Sequence, residues 1–515
     1  MKNRDLEATW AYHNGTKHSY ESIRTNRHYL DWENQPIPFK IYSQLEPISL
    51  PQQLSSPGMT ALEAISASEA PTEDQVIPSI QTLAEILYLS AGITKRRSYP
   101  GGEILFRAAA CTGALYHIDL YLACSDLPGL KAGVYHFGPQ DFALRRLRDG
   151  DYRNALVQAS GREPALANAP AIIVCASTYW RNAWKYQSRA YRHCYWDTGT
   201  ILANLLAAAD ARHTPARIVL GFVDDAVDRL LALDTTREGS LALVALGSLP
   251  SPAAKSTPSV DSLRLETAPL SKTEVDYPAI RAMHEASSLE NEPEVIDWRG
   301  QTFSNPPTSP IPVAKDRSIA LQPSIDDEMP HDSLEEVIQR RGSTRQFARE
   351  SISFRQLSIM LDRATRGIPT DFLPPKEALN DLYLIVHAVE DLVPGAYVFN
   401  RNSRALELLQ EGDFRHQAGH LGLGQEIPAD CSVDVFFLTD LHAALQRWGN
   451  RGYRAVQLEA SIMGGKLYLA AYAQGLGASG LTFFDDDVTE FFSPHARGKS
   501  VMFLLAIGKS VKRRM

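Results

Sequence analysis

Two stretches of the chain carry the same pattern of apolar and polar positions in the same order. Ser79 precedes apolar positions Leu83, Ile86, Leu87 and Ala91, a helical spacing that stops at Gly92, and Ser353 precedes Leu357, Met360 and Leu361, with Gly367 beyond. Serine before a helix and glycine after it are the residue types that satisfy the loose backbone groups at helix ends. Short β-rich runs follow each helix: DLYLAC, GVYHF, AIIVCAS and LALVALG in the first stretch, DLYLIV, GAYVF, VDVFFLTD and SVMFLLAIG in the second. A further helix with small and apolar faces is predicted at about 197–211 and again at about 459–474. Helices and strands in non-alternating order predict an α+β fold.

The likeness extends to residue identity. The 35 residues from Asp119 and the 35 from Asp381 share 14 identities without a gap, among them Gly133/Gly395, Tyr135/Tyr397 and Arg153/Arg415, at an offset of 262. The same offset pairs Arg189, Tyr191 and Arg192 with Arg451, Tyr453 and Arg454. A period this long means two copies of one fold rather than a solenoid. Between the copies, residues 250–330 hold 12 of the 31 prolines, which predicts a linker wrapping the surface, anchored by pieces such as AIRAMHEAS and IDWRG. The expected division is a first domain with an N-terminal extension at 1–249, the linker at 250–330, and a second domain at 331–515.

Composition narrows the function classes. The 515 residues carry 52 basic and 60 acidic side chains, a net charge of −8, which speaks against a nucleic-acid partner. The first residues, MKNRDLEATWAYHNGT, lack a signal-peptide core and no apolar run reaches membrane-spanning length, so a cytoplasmic protein is expected. Five cysteines form no CxxC pair; they read as free thiols, and no metal site is predicted.

Two motifs carry chemistry. GLGASG at 475–480 matches GxGxxG but follows a helix and precedes a strand, the reverse of a dinucleotide fingerprint, and so reads as a helix C-cap. EEVIQRRGSTRQF at 335–347 gathers Arg340, Arg341, Ser343 and Arg345 beside a glycine. Those donors suit a phosphate monoester, with an exposed basic helix end as the alternative.

RRGSTRQF resembles the RRxSxRxF opening of FMN-dependent nitroreductase-fold proteins, and YRAVQLEASIMGGKLYLAAYAQGLGASGLTFFDDDV resembles that family's central helix, its GLG cap and the strand that ends near the flavin. Copy one is similar to the SagB-type dehydrogenases, which include thiazoline and oxazoline oxidases, through AYHNGTKHSYESIRTNRHYLDWENQPIPFKIY, FRAAACTGALYHIDLYL and KYQSRAYRHCYWDTGTILANLLAAA. The resemblance implies two tandem domains, each a central mixed, largely antiparallel sheet flanked by helices. They would form an intrachain pseudo-dimer, possible as a monomer, with FMN at the interface.

It also implies unequal sites. One joins Arg340, Arg341, Ser343, Arg345 and the basic tail Lys509, Lys512, Arg513 and Arg514 to a copy-one loop resembling PSAGALYP, namely Ala110 to His117 with Cys111, Thr112 and Gly113, preceded by Arg107. Thr482 and Phe483, within Leu481–Phe484, would lay backbone N–H groups against flavin N5, with Leu220–Phe222 as the copy-one counterpart. The other site would rest on TKHS at 16–19 and LPPKEALN at 373–380, and is expected to be degenerate. Lys185–Tyr186 matches a pair associated with proton transfer in the azole-forming oxidases, against the alternative of a solvated lysine beside a packing tyrosine; copy two has Arg447–Trp448 instead. The expected activity is hydride transfer between flavin and NAD(P)H or an organic substrate, small molecule or peptide. Azoline-to-azole dehydrogenation and a non-catalytic FMN scaffold are the alternatives.

Overall fold

The computed structural model describes residues 2–55, 58–66, 75–99, 102–250, 258–301, 317–322, 328–374 and 377–511. The first copy supplies β1 (Pro47–Ser49), a projecting hairpin of β2 (Ile93–Tyr99) and β3 (Gly102–Arg107), then β4 (Ile118–Cys124), β5 (Gly133–Gly138), β6 (Ala143–Asp149), β7 (Ala171–Thr178), β8 (Ala216–Val219) and β9 (Glu238–Leu246). The second supplies β10 (Ser318–Ala320), β11 (Asn380–Val386), β12 (Gly395–Asn400), β13 (Ala405–Glu411), β14 (Val433–Thr439), β15 (Gly477–Leu481) and β16 (Ser500–Gly508). The two seven-stranded sheets run β1-β6-β5-β4-β7-β9-β8 and β10-β13-β12-β11-β14-β16-β15, one topology used twice. Every pairing within them is antiparallel, so the mixed sheet expected above narrows to an antiparallel one.

The helices expected after Ser79 and Ser353 are Ile80–Ala91 and Phe354–Ala364, and both serines accept a backbone N–H at the third position. The long helices begin earlier than predicted, at Ala190 and Arg451 rather than about 197 and 459. Their first turns are rich in arginine and tyrosine yet buried, because those polar groups are spent across the interface. Arg189 and Arg192 pair with Asp485 at 3.0 and 2.5 Å, and Arg451 and Arg454 with Asp224 at 2.7 and 2.6 Å.

These helices, Ala190–Asp210 and Arg451–Ala473, pack on each other along the pseudo-dyad. A Cβ placed on Gly199 would stand 1.9 Å from Ser461 Oγ, and one on Gly465 would stand 2.5 Å from Ala203 Cβ. Since 199 + 262 = 461 and 203 + 262 = 465, each residue faces its own counterpart, and the axis passes between them. One hydrophobic cluster containing residues of both copies runs through this junction. Among the described residues no helix is long and apolar enough to cross a membrane, and the five cysteines are unpaired.

Candidate functional site

Helix Leu334–Arg340 begins at a capping box, Ser333 with Glu336. The segment after it is held along β15, Thr344 N donating to Ala478 O at 2.9 Å, and against residue 511, where Val511 N donates to Gln346 O at 3.1 Å. Its four candidate donors separate. Arg340 is exposed, paired with Asp332 at 2.5 Å, and donates to Tyr472 O. Arg341 is buried and crosses to the other copy, donating to Ala108 O at 2.7 Å and Arg107 O at 3.0 Å. Ser343 and Arg345 are left at the surface, the serine 3.4 Å from Tyr468 Oη. Lys509 pairs with Glu350 at 3.5 Å; Lys512 and Arg513 lie outside the described residues.

The loop of copy one that Arg341 touches is shaped by a single carboxylate that the sequence reading missed. Asp197, on the long helix, accepts from Thr112 N at 2.9 Å, Thr112 Oγ1 at 2.7 Å and Cys111 Sγ at 3.0 Å, and lies 2.9 Å from His117 Nε2. Tyr116 N in turn donates to Cys111 Sγ. Burial, reinforced by the Asp197 charge, pushes the Cys111 thiol well up, so it stays protonated and is a poor nucleophile. A signal was available: Glu459 stands at the same position in the second long helix (197 + 262 = 459) and likewise binds its own copy's loop, through Leu379 N and Asn380 Nδ2. Arg107 is buried between the rings of Phe39 and Tyr116 and donates to Pro38 O. Gly113 takes φ = +66°, and a Cβ there would lie 2.8 Å from Tyr186 Oη. Tyr186 therefore meets the loop where only glycine gives room.

Lys185 and Tyr186 end helix Tyr179–Tyr186. Lys185 Nζ lies 5.3 Å from the Tyr186 ring centre. Burial first and the Arg345 charge second lower the Lys185 pKa. Burial raises that of Tyr186, with Asp197 and Cys111 adding to the rise. A row of rings runs from Tyr186 through His193 (4.7 Å) and Trp196 (4.9 Å) to Phe483 of copy two (5.8 Å), with Arg189 5.4 Å over Phe483. Thr482 is half-buried and its Oγ1 has no hydrogen-bond partner. Arg345, Lys185–Tyr186, loop 107–117 and Thr482–Phe483 thus converge on one face of the interface, with residues from both copies.

The model of the nitroreductase family matches residues 115–248 and 338–509, once in each copy and over more than half of the chain. The chain belongs to the nitroreductase family. MJ1384 of Methanocaldococcus jannaschii, assigned by name to the nitroreductases, is 24% identical over 169 residues, 33% of this chain and 80% of that protein. The microcin B17-processing protein McbC of Escherichia coli is 28% identical over 145 residues, 27% of this chain and 49% of that protein. A crystal structure of an Anabaena variabilis protein, also assigned by name to the nitroreductases, matches 98% of this chain and 99% of its own at 26% identity and a TM-score of 0.76. Membership makes the chain an oxidoreductase with two nitroreductase-fold regions in tandem.

Within this nitroreductase-family pair, TKHS does not serve the other interface as expected. Lys17 pairs with Asp486 at 2.7 Å, and His18 N donates to Asp485 at 2.8 Å, beside Phe483. The counterpart of helix Leu334–Arg340 is helix Ala61–Ala64, whose box of Thr60 and Glu63 matches Ser333 and Glu336 (333 − 60 = 273). The stretch aligned with RRGSTR is therefore ASEAPT at 67–72, which has no basic residue and lies outside the described residues.

Proposed function

We propose that the chain is an FMN-dependent oxidoreductase whose active site joins Ser343, Arg345 and Thr482–Phe483 of copy two to loop 107–117 and Lys185–Tyr186 of copy one. On this reading the chain divides at 1–249, 250–330 and 331–515. The observation that carries it is the convergence of an exposed arginine and serine, a glycine at positive φ and an orphaned Thr482 Oγ1 on one two-copy interface. Those features suit FMN: hydroxyl and guanidinium donors for its phosphate, close backbone approach for its ring, and an unspent polar atom at the strand end. When bound, FMN supplies hydride transfer, the protein providing placement and electrostatics.

Ser343 and Arg345 would hold the phosphate, with Arg341 and Arg340 fixing the segment that presents them and Lys512 and Arg513 adding charge from the tail. Gly113, Thr112, Cys111 and Arg107 would shape the ring's other side, held by Asp197. Lys185 is the proton acceptor, since burial and Arg345 together favour its neutral amine. Tyr186, kept protonated by burial, orients substrate by donating a hydrogen bond.

Two substrate classes follow, an NAD(P)H-driven reduction of nitro compounds or quinones and the dehydrogenation of an azoline in a peptide. The Lys185–Tyr186 pair and the similarity to a microcin B17-processing protein favour the second. Purified protein should show a flavin spectrum, and a colourless preparation that takes up no FMN refutes the reading. Bleaching by NAD(P)H followed by reoxidation with a nitro compound supports reduction; bleaching by an azoline peptide with loss of two mass units supports dehydrogenation.

A further inference from the structure

The pseudo-dyad creates a second interface with the roles of the copies exchanged, and its contents differ from the first. Leu481–Thr482–Phe483 corresponds to Leu220–Gly221–Phe222 (482 − 221 = 261), and Tyr186 to Trp448 (448 − 186 = 262). At this second strand end, Leu220 N and Gly221 N both donate to the Asp371 carboxylate, at 2.8 and 3.0 Å. Arg299 Nε binds the same carboxylate at 3.1 Å, and its terminal nitrogen donates to Ser160 O and Gly221 O. The indole of Trp298 lies against Gly221, its Cε3 and Cζ3 each 3.0 Å from where a Cβ would stand. Its Nε1 donates to Trp448 O at 3.1 Å.

Trp298 and Arg299 come from the proline-rich stretch between the copies, and the contacts show what that stretch is. Arg192 donates to His13 O and Thr16 Oγ1, and Arg454 to His284 O and Ser287 Oγ. His18 N caps Asp485, and Leu289 N caps Asp224. Helices Pro278–Ala286 and Glu292–Gly300 thus repeat helices Glu7–Gly15 and Tyr20–Thr25, at an offset of 271 (284 − 13). Their burial differs: helix Tyr20–Thr25 buries none of its residues, whereas Trp298 in helix Glu292–Gly300 is only 1% exposed. One duplicated piece stands away from the first interface, while its twin fills the second.

We propose that helix Glu292–Gly300 is a built-in occupant of the second cofactor position. Trp298 takes the place of a flavin ring, and Asp371, paired with Arg299, occupies the Leu220 and Gly221 N–H groups, the counterparts of those that the FMN reading sets against the ring at the first interface. The proposal rests on the FMN reading of the first interface. The chain consequently holds one flavin rather than two.

The experiment titrates wild-type protein with FMN to saturation, and titrates wild type and the Trp298→Ala/Asp371→Ala variant with lumiflavin, the ring without its phosphate. The expected results are one FMN per wild-type chain and one further equivalent of lumiflavin in the variant than in wild type. Two FMN per wild-type chain overturns the plug, as does a folded variant, by circular dichroism and gel filtration, that gains no lumiflavin. Where the variant does not fold, the wild-type ratio of one or two decides. A wild-type ratio of zero refutes the FMN reading instead, while the lumiflavin difference still reports on the plug.

Discussion

The packing of the two long helices makes a prediction that depends on the pseudo-dyad itself. On Gly199→Ala the new methyl stands 1.9 Å from Ser461 Oγ, 2.7 Å from Ser461 Cβ and 2.9 Å from Ile462 N. The last two contacts involve a Cβ and a backbone atom, so a rotamer change cannot relieve them. Over-packing of this kind costs about 1–3 kcal/mol, and rigid neighbours put it near the top of that range. Alanine recovers about 1 kcal/mol of helix propensity over glycine, leaving a net loss of about 2 kcal/mol.

Ser461→Gly loses the hydrogen bond from Ser461 Oγ to Tyr195 O, 2.9 Å across the interface, worth about 1 kcal/mol, and about 0.5 kcal/mol of propensity, because serine is itself a weaker helix former than alanine. Simple addition predicts a loss of about 3.5 kcal/mol for the double variant. Because residue 461 is the counterpart of residue 199, the double variant instead exchanges a small residue for a smaller one across the axis. The alanine's propensity gain then more than offsets the glycine's loss, and the main clash is gone. A loss of about 1 kcal/mol is expected, a coupling of about 2–3 kcal/mol, within the range measured for residues in contact. Urea unfolding of wild type, both single variants and the double, followed by circular dichroism, measures it. Additivity within about 0.5 kcal/mol would refute the close approach of the helices at this point.

Replacing Arg345 and Ser343 with Ala should weaken FMN binding by about 10- to 100-fold, the worth of one lost charge-assisted bond. Flavin fluorescence titration tests this, and unchanged affinity moves the phosphate elsewhere. Lys185→Met should remove the limb of the pH–rate profile that rises through the lowered lysine pKa, a limb lying below the ordinary value of 10.5; an unaltered limb excludes Lys185 as the proton acceptor. Asp228 is raised to about 7, by burial first and by the Asp224 charge second. Its folded pKa lies above the unfolded value of 3.8, so the folded state binds the extra proton between the two, and stability falls as pH rises from about 4 to 7. The loss is about 4 kcal/mol. Asp228→Asn should flatten that slope and be more stable than wild type at pH 8 by thermal unfolding, whereas an unchanged slope would show that another group titrates there.

The duplication and most of its strands were legible because in each copy the same runs are buried on both faces, and continuous apolar stretches survive in sequence. RRGSTRQF marked the right segment but not the division of labour within it. Spacing alone treats Arg340 and Arg341 as one cluster, whereas the helix end turns one back to Asp332 and sends the other to the opposite copy's backbone. Asp197 was hidden because a lone acid within an apolar helix has no charged neighbour in sequence; its partners are a backbone N–H, a hydroxyl, a thiol and an imidazole 80 or more positions away. The role of the proline-rich stretch was hidden for a different reason. Its helices repeat the N-terminal ones at an offset of 271 (284 − 13, 289 − 18) while the main repeat runs at 262, so a fixed-offset comparison passes over them.

What the two interfaces share and where they part follows one logic. Both carry an aspartate buried between two arginines of the opposite copy, Asp485 with Arg189 and Arg192 and Asp224 with Arg451 and Arg454. Removing one partner of such a group strands a buried charge at a cost of about 3–5 kcal/mol, so these six residues tie the halves together equally on both sides. Around them the counterparts differ: Thr482 against Gly221, Tyr186 against Trp448, and helix Tyr20–Thr25 with no buried residue against helix Glu292–Gly300 with its buried Trp298. In a dimer of identical chains each of those changes would enter both sites at once. Gly221 with Trp298 would then exclude a ligand twice over. Two copies in one chain remove that constraint, because the symmetric contacts can hold the assembly while one interface stays open and the other is filled from within. On this argument the fusion is what allows the single open site.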